Sequence, residues 1–138
     1  MRLSALFKRR ASSSAEEDAP AGRLLAEIGD LDTEQRVAVA RGLALLWEAM
    51  RGRFGGLDGF LESSEAERAA YVRELQSAAE RMIQSEALTL SRYALSPTLM
   101  ALYLDGLVRR PETETAVRFG RAVAELIEQG TKLRRPNG

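Results

Sequence analysis

Few side chains in this sequence are equipped for chemistry. Histidine and cysteine are both absent, which removes the commonest general base, the commonest transition-metal ligand, thiolate nucleophiles and disulfides together. Of the 20 basic residues all but Lys8 and Lys132 are arginine, so Schiff-base chemistry has almost no candidates. Carboxylate pairs such as Glu62/Glu65 and Glu80/Glu86 offer oxygens to a hard cation. Neither is joined by the histidine of a di-iron bundle or set in an Asp-rich calcium loop. They read as solvated helix faces, and no metal or other cofactor is expected. Gly55-Gly56-Leu57-Asp58-Gly59 is glycine-rich, but no Gly-Lys-Ser/Thr follows it, so it reads as a turn and not as a phosphate-binding loop. No catalytic constellation is expected. The alternative is an enzyme or small-ligand binder with a pocket between helices, using Glu86, Arg92, Tyr93 or Tyr103 as its polar groups.

The remaining functional signal lies in the first ten residues. Met1 to Arg10 combines Leu3, Leu6 and Phe7 with Arg2, Lys8, Arg9 and Arg10 and contains no acid. On a helical wheel the three apolar residues cluster within roughly 100°, with Arg2, Lys8 and Arg9 on the flanks. Arg10 falls inside the apolar sector. Burying three large apolar groups contributes about 2 kcal/mol each, and each cation near an anionic surface about 1 kcal/mol. Ordering ten residues costs about 1 kcal/mol or more apiece. The balance is near zero, so binding by this head is weak and needs a preformed groove, a charged surface or several copies. Docking on a protein partner or an anionic membrane, an Arg- and Ser-rich organellar presequence, and a disordered start of chance composition all fit it.

The elements that position these features are helical. Residues 11–22 form a Ser/Ala/acid/Pro linker, and 23–130 a helical domain followed by a basic tail, 131–138. Hydrophobic residues make up 45% and charged residues 29%, as in an ordinary soluble domain. No run alternates apolar and polar residues in the manner of a half-buried strand. The pattern predicts a short helix over 21–28 and a central one from Asp32, whose Gln35 completes a capping box, to Phe54 before Gly55-Gly56. Leu57 to Leu61 reads as a loop or a single turn. A long helix follows from Ser64 toward Ala94, with a kink expected near Gln84-Ser85-Glu86. Ser96-Pro97 marks the start of the next helix. The last begins at Pro111, pairs Glu114 with Arg118, and stops at Gly130. The fold expected is an all-α single-domain bundle of four main helices plus one or two short ones, with a flexible N-terminal arm.

Leu99, Met100, Leu102, Tyr103, Leu104, Leu107 and Val108 make one helix apolar almost all round. Such a helix is either central or meets another subunit, so these residues are both candidate core and candidate homo-oligomer interface. Ala116, Gly120 and Ala124 form a small-residue ridge suited to a close helix crossing, and Gly42 with Ala38 a second. Twenty acidic residues cancel the basic ones and no helix gathers base-reading side chains, so nucleic acid is not an expected partner. Arg-rich, Lys-poor usage is associated with high-GC bacterial genomes. No run has the roughly 20 apolar residues of a membrane span, which leads to a cytoplasmic expectation with peripheral membrane contact. The reading is a non-catalytic adaptor, scaffold or accessory subunit with a protein partner. Deleting residues 2–10 is expected to abolish recovery with that partner or with anionic vesicles while leaving the thermal melt unchanged. Unaltered co-sedimentation and partner recovery after the deletion would remove the docking role.

Overall fold

Local capping chemistry sets most helix ends in this chain. The computed structural model describes residues 19–85, 94–110 and 113–134. Among these the elements are α1 (19–29), α2 (Thr33–Phe54), α3 (Leu57–Glu62), α4 (Glu65–Gln84), α5 (Leu95–Arg109) and α6 (Glu114–Arg134), with no strand among the described residues. At the head of α2, Asp32 accepts the Gln35 N–H at 2.8 Å and Gln35 Oε1 accepts the Asp32 N–H at 3.1 Å, the reciprocal box that satisfies two orphan donors. Gly55 closes α2 in the left-handed region at φ 79. Ser64 accepts the Glu67 N–H at 3.1 Å to open α4, and Thr113 accepts that of Ala116 at 3.2 Å to open α6. The α3–α4 junction is tied by Arg68, which donates to the carbonyls of Leu61 and Ser63.

Helices α5 and α6 pack on α2, and α4 packs mainly on α5. Leu43, Met50, Leu99, Met100, Leu104, Val123 and Leu126 are fully buried, and removing each from water is worth about 1.5–3 kcal/mol. Two registers set the direction of α5. The Ser96 hydroxyl donates to the Val39 carbonyl at 3.2 Å, and Tyr103 meets Trp47 with ring centroids 5.9 Å apart, so α5 runs parallel to α2. At the far end of α2, Phe54, Phe60 and Tyr71 form an edge-to-face cluster. Arg53 lies 5.0 Å over the Tyr71 ring and pairs with Glu74 at 2.6 Å, which ties the first half of α4 to the end of α2.

The bundle is the all-α architecture that the periodicity predicts, with differences at the element ends. Helix α1 covers 19–29, so the last residues of the expected linker are helical and Ala21 is buried. Helix α4 ends at Gln84: Ser85 is extended (φ −64, ψ 138) while its N–H still caps the Arg81 and Met82 carbonyls. Ile83 is 61% exposed, and residues 86–93 lie outside the described residues. Pro97 is the third residue of α5, not the first. First-turn N–H groups have no intrahelical acceptor, so proline costs α5 no hydrogen bond there. Glu114 and Arg118 form no ion pair, whereas Asp105 and Arg109 do at 3.2 Å and Glu128 and Lys132 at 3.3 Å.

Helix α6 does not stop at Gly130 but runs on to Arg134. Gly130 is instead where α6 crosses α2: a Cβ there would run into the Ala40 carbonyl oxygen and lie 3.0 Å from the Ala44 methyl. Gly42 does the same for α5, since its Cβ would sit 2.5 Å from Ser96 Oγ. By contrast nothing lies within 4 Å of a Cβ built on Gly120. Gly130→Ala is therefore expected to destabilise the fold by about 1–3 kcal/mol through overpacking. Gly120→Ala is expected to stabilise it by up to about 1 kcal/mol through helix propensity. Urea denaturation reads both, and the same sign for the two variants would contradict this assignment of the crossing.

Candidate functional site

The small-residue ridge of α6 and the apolar face of α5 meet, but not in a close crossing. Both helices pack more extensively on α2 than on each other, and a groove of ≈ 750 Å³ opens between them. Its α5 wall is Leu102, Tyr103, Gly106 and Leu107, and its α6 wall is Ala116, Val117, Phe119, Gly120 and Ala124. Ala21 of α1 and Leu61 of α3 complete the apolar lining. The spacing 102, 103, 106, 107 on one helix and 116, 117, 120, 124 on the other is that of single helical faces. The hollow follows from composition: no side-chain volume fills the space beside Gly106 and Gly120, and neither has a neighbour within 4 Å of its Cβ position.

The groove has a charged rim. Among the described residues Arg109, Arg110 and Arg121 border it with one acid, Asp105, which is already engaged by Arg109 at 3.2 Å. Arg110 and Arg121 are exposed. Arg110 caps α5 with φ 50 and ψ 56, the one non-glycine residue at positive φ among the described residues, a conformation that glycine and asparagine adopt at lower cost. Its N–H satisfies the Gly106 carbonyl at 2.8 Å. Val117 is 44% exposed on the α6 wall. Tyr103 is half-buried there, and burial raises its hydroxyl above the usual tyrosine range.

The residues singled out by sequence divide sharply. Leu99, Met100 and Leu104 are fully buried in the chain's own core and cannot form an interface. Leu102, Tyr103 and Leu107 are partly exposed and line the groove, and Val108 is exposed at 38%. The seven apolar positions thus split into core and surface around one helix. The head residues Arg2, Leu3, Leu6, Phe7, Lys8 and Arg9 lie outside the described residues, as do Glu86, Arg92 and Tyr93. Glu62, Glu65 and Glu80 are exposed, and among the described residues no three acids gather closely enough to hold a metal ion. A second depression, ≈ 610 Å³, lies between α1, the start of α5 and Ile83; Ile83 and Ala94 on its wall flank the undescribed 86–93. The arginine rim has no signature in the sequence, because its members are spread over two helices and a cap.

Among the described residues no helix is long and apolar enough to cross a membrane. Comparison with protein-family models, with curated proteins and with solved structures finds no match to this chain.

Tyrosine ionisation checks the burial of the groove wall. Desolvation raises the hydroxyls of both Tyr103 and Tyr71, with Arg53 opposing the rise at Tyr71. The folded chain thus holds these protons more tightly than the unfolded one, whose tyrosines titrate near pH ~10. The linked stabilisation is complete below that pH and is lost as pH rises through the folded-state values. Absorbance titration of the folded protein is expected to show ionisation later than in denaturant, with one late component missing in Tyr103→Phe. Titration of Tyr103 at the ordinary value would mean that the α5 wall is solvated.

Proposed function

We propose that this chain is a non-catalytic interaction protein, an adaptor, scaffold or accessory subunit, that grips a partner in the α5–α6 groove and uses its N-terminal head as a second, weaker contact. The observation that carries this reading is the open apolar groove itself. Leu102, Leu107 and Val117 spend exposed apolar surface at a place where four small residues, Gly106, Ala116, Gly120 and Ala124, keep the hollow unfilled. Contiguous exposed apolar surface with a polar rim is the mark of an interaction site. The head, with four cations, three large apolar side chains and no acid, is suited to a different contact, an anionic surface or acidic partner, and its near-zero energy balance fits a reversible one.

A second reading, a small-ligand-binding groove, is favoured by the half-buried Tyr103 hydroxyl on the same wall. Gly120→Leu and Val117→Glu distinguish the two. The first fills open space and the second places a charge on an exposed position, so neither removes a core contact. Affinity capture followed by mass measurement is expected to lose one partner protein with either variant while the thermal midpoint stays within a few degrees of the parent. An unchanged partner set with both variants removes the docking reading. Loss of a bound small molecule in place of a protein, seen by native mass spectrometry, supports the second reading instead.

A further inference from the structure

Resting on the docking reading, the geometry points to the class of occupant: we infer that the α5–α6 groove receives a short amphipathic helix whose apolar face is flanked by acidic residues. Backbone and length select a helix. The groove is walled by two helices, so it presents no unpaired strand edge on which an extended peptide could build hydrogen bonds. A helix, which satisfies its own backbone, is the segment such a trough accepts. Leu102 to Arg110 on one wall and Ala116 to Ala124 on the other each span roughly 12 Å at 1.5 Å per residue. That length takes two turns, with apolar anchors at i, i+3 or i+4, and i+7.

The rim selects for acid. Among the described residues three arginines and one aspartate line it, and Asp105 is engaged by Arg109. Arg110 and Arg121 make no ion pair with a described residue, which leaves two forked donors at the mouth of an apolar trough, where guanidinium recognises carboxylates well. Arg110 holds this place from a left-handed backbone position at φ 50. Charge also decides against the chain's own head as occupant: Arg2, Lys8, Arg9 and Arg10 carry the same sign as the rim, and like charges brought together disfavour that docking.

The test uses three fluorescein-labelled 14-residue helical peptides with the same leucine anchors and flanking positions filled by glutamate, glutamine or lysine, titrated by anisotropy against the full chain. The glutamate peptide is expected to bind at least tenfold tighter than the lysine peptide in dilute salt, with the gap closing as salt rises. Arg110→Gly and Arg121→Gln should each weaken the glutamate peptide by about 2- to 5-fold, the range of an exposed charge pair, and leave the glutamine peptide unchanged. Arg110→Gly should not lower the thermal midpoint, because glycine suits its backbone angles. Equal binding of the glutamate and lysine peptides overturns the acidic class while leaving groove docking intact. Binding of none of the three overturns both. A dimer of the free chain that dissociates on Val117→Glu shows a second copy in the groove and likewise overturns the inference.

Discussion

The crossing of α6 over α2 at Gly130 governs the rest of this bundle. The two backbones approach so closely there that a single methyl group would strike the Ala40 carbonyl. Two residues along, on the other side of the same helix, Gly42 admits Ser96 of α5, whose hydroxyl then donates to the Val39 carbonyl. Positions 40 and 44 lie one above the other on a helix, and position 42 points nearly away from them. Helix α2 thus receives α6 on one side and α5 on another, each at short range. Its small residues determine where the two outer helices sit before any larger side chain is placed.

The groove is a consequence of that arrangement. Helices α5 and α6 are located by α2 and touch each other less, so the space between them is filled only by what their facing side chains supply. Those faces carry Gly106, Ala116, Gly120 and Ala124 beside a few large residues. A core that met native packing density at this seam would need leucine or valine at some of these positions. Leaving them small and the neighbouring Val117 exposed forgoes burial energy, and the charged cap residue Arg110 adds backbone strain at the same edge. Local choices that run against stability gather at interaction surfaces more often than elsewhere, and here they share one seam.

How much of this was legible from sequence depended on whether the signal was local. The Asp32/Gln35 box, the Ser64 cap and the Gly55 stop are all set by residues within three or four positions, and each falls where expected. The four-helix count follows from periodicity alone. Glycine was harder to read, because the same residue serves as a helix stop and as a crossing point. Gly130 has the sequence context of a stop, with a basic tail beyond it, yet its partner is ninety residues earlier in the chain. The ridge of Ala116, Gly120 and Ala124 reads as a place for close approach, but the side chains facing it belong to α5, and no spacing within α6 reveals that they stand back. The split of α5 into a buried face, Leu99, Met100 and Leu104, and a groove face, Leu102, Tyr103 and Leu107, is likewise invisible in a segment that is apolar nearly all round.

The seam between α5 and α6 stands open to solvent in the free protein. Paramagnetic relaxation of methyl groups by a soluble nitroxide measures this directly. The methyls of Leu102, Leu107 and Val117 are predicted to be strongly broadened, while those of Leu99, Leu104 and Leu126 remain sharp. Groove methyls as protected as the core ones would contradict this and show the seam closed or already covered.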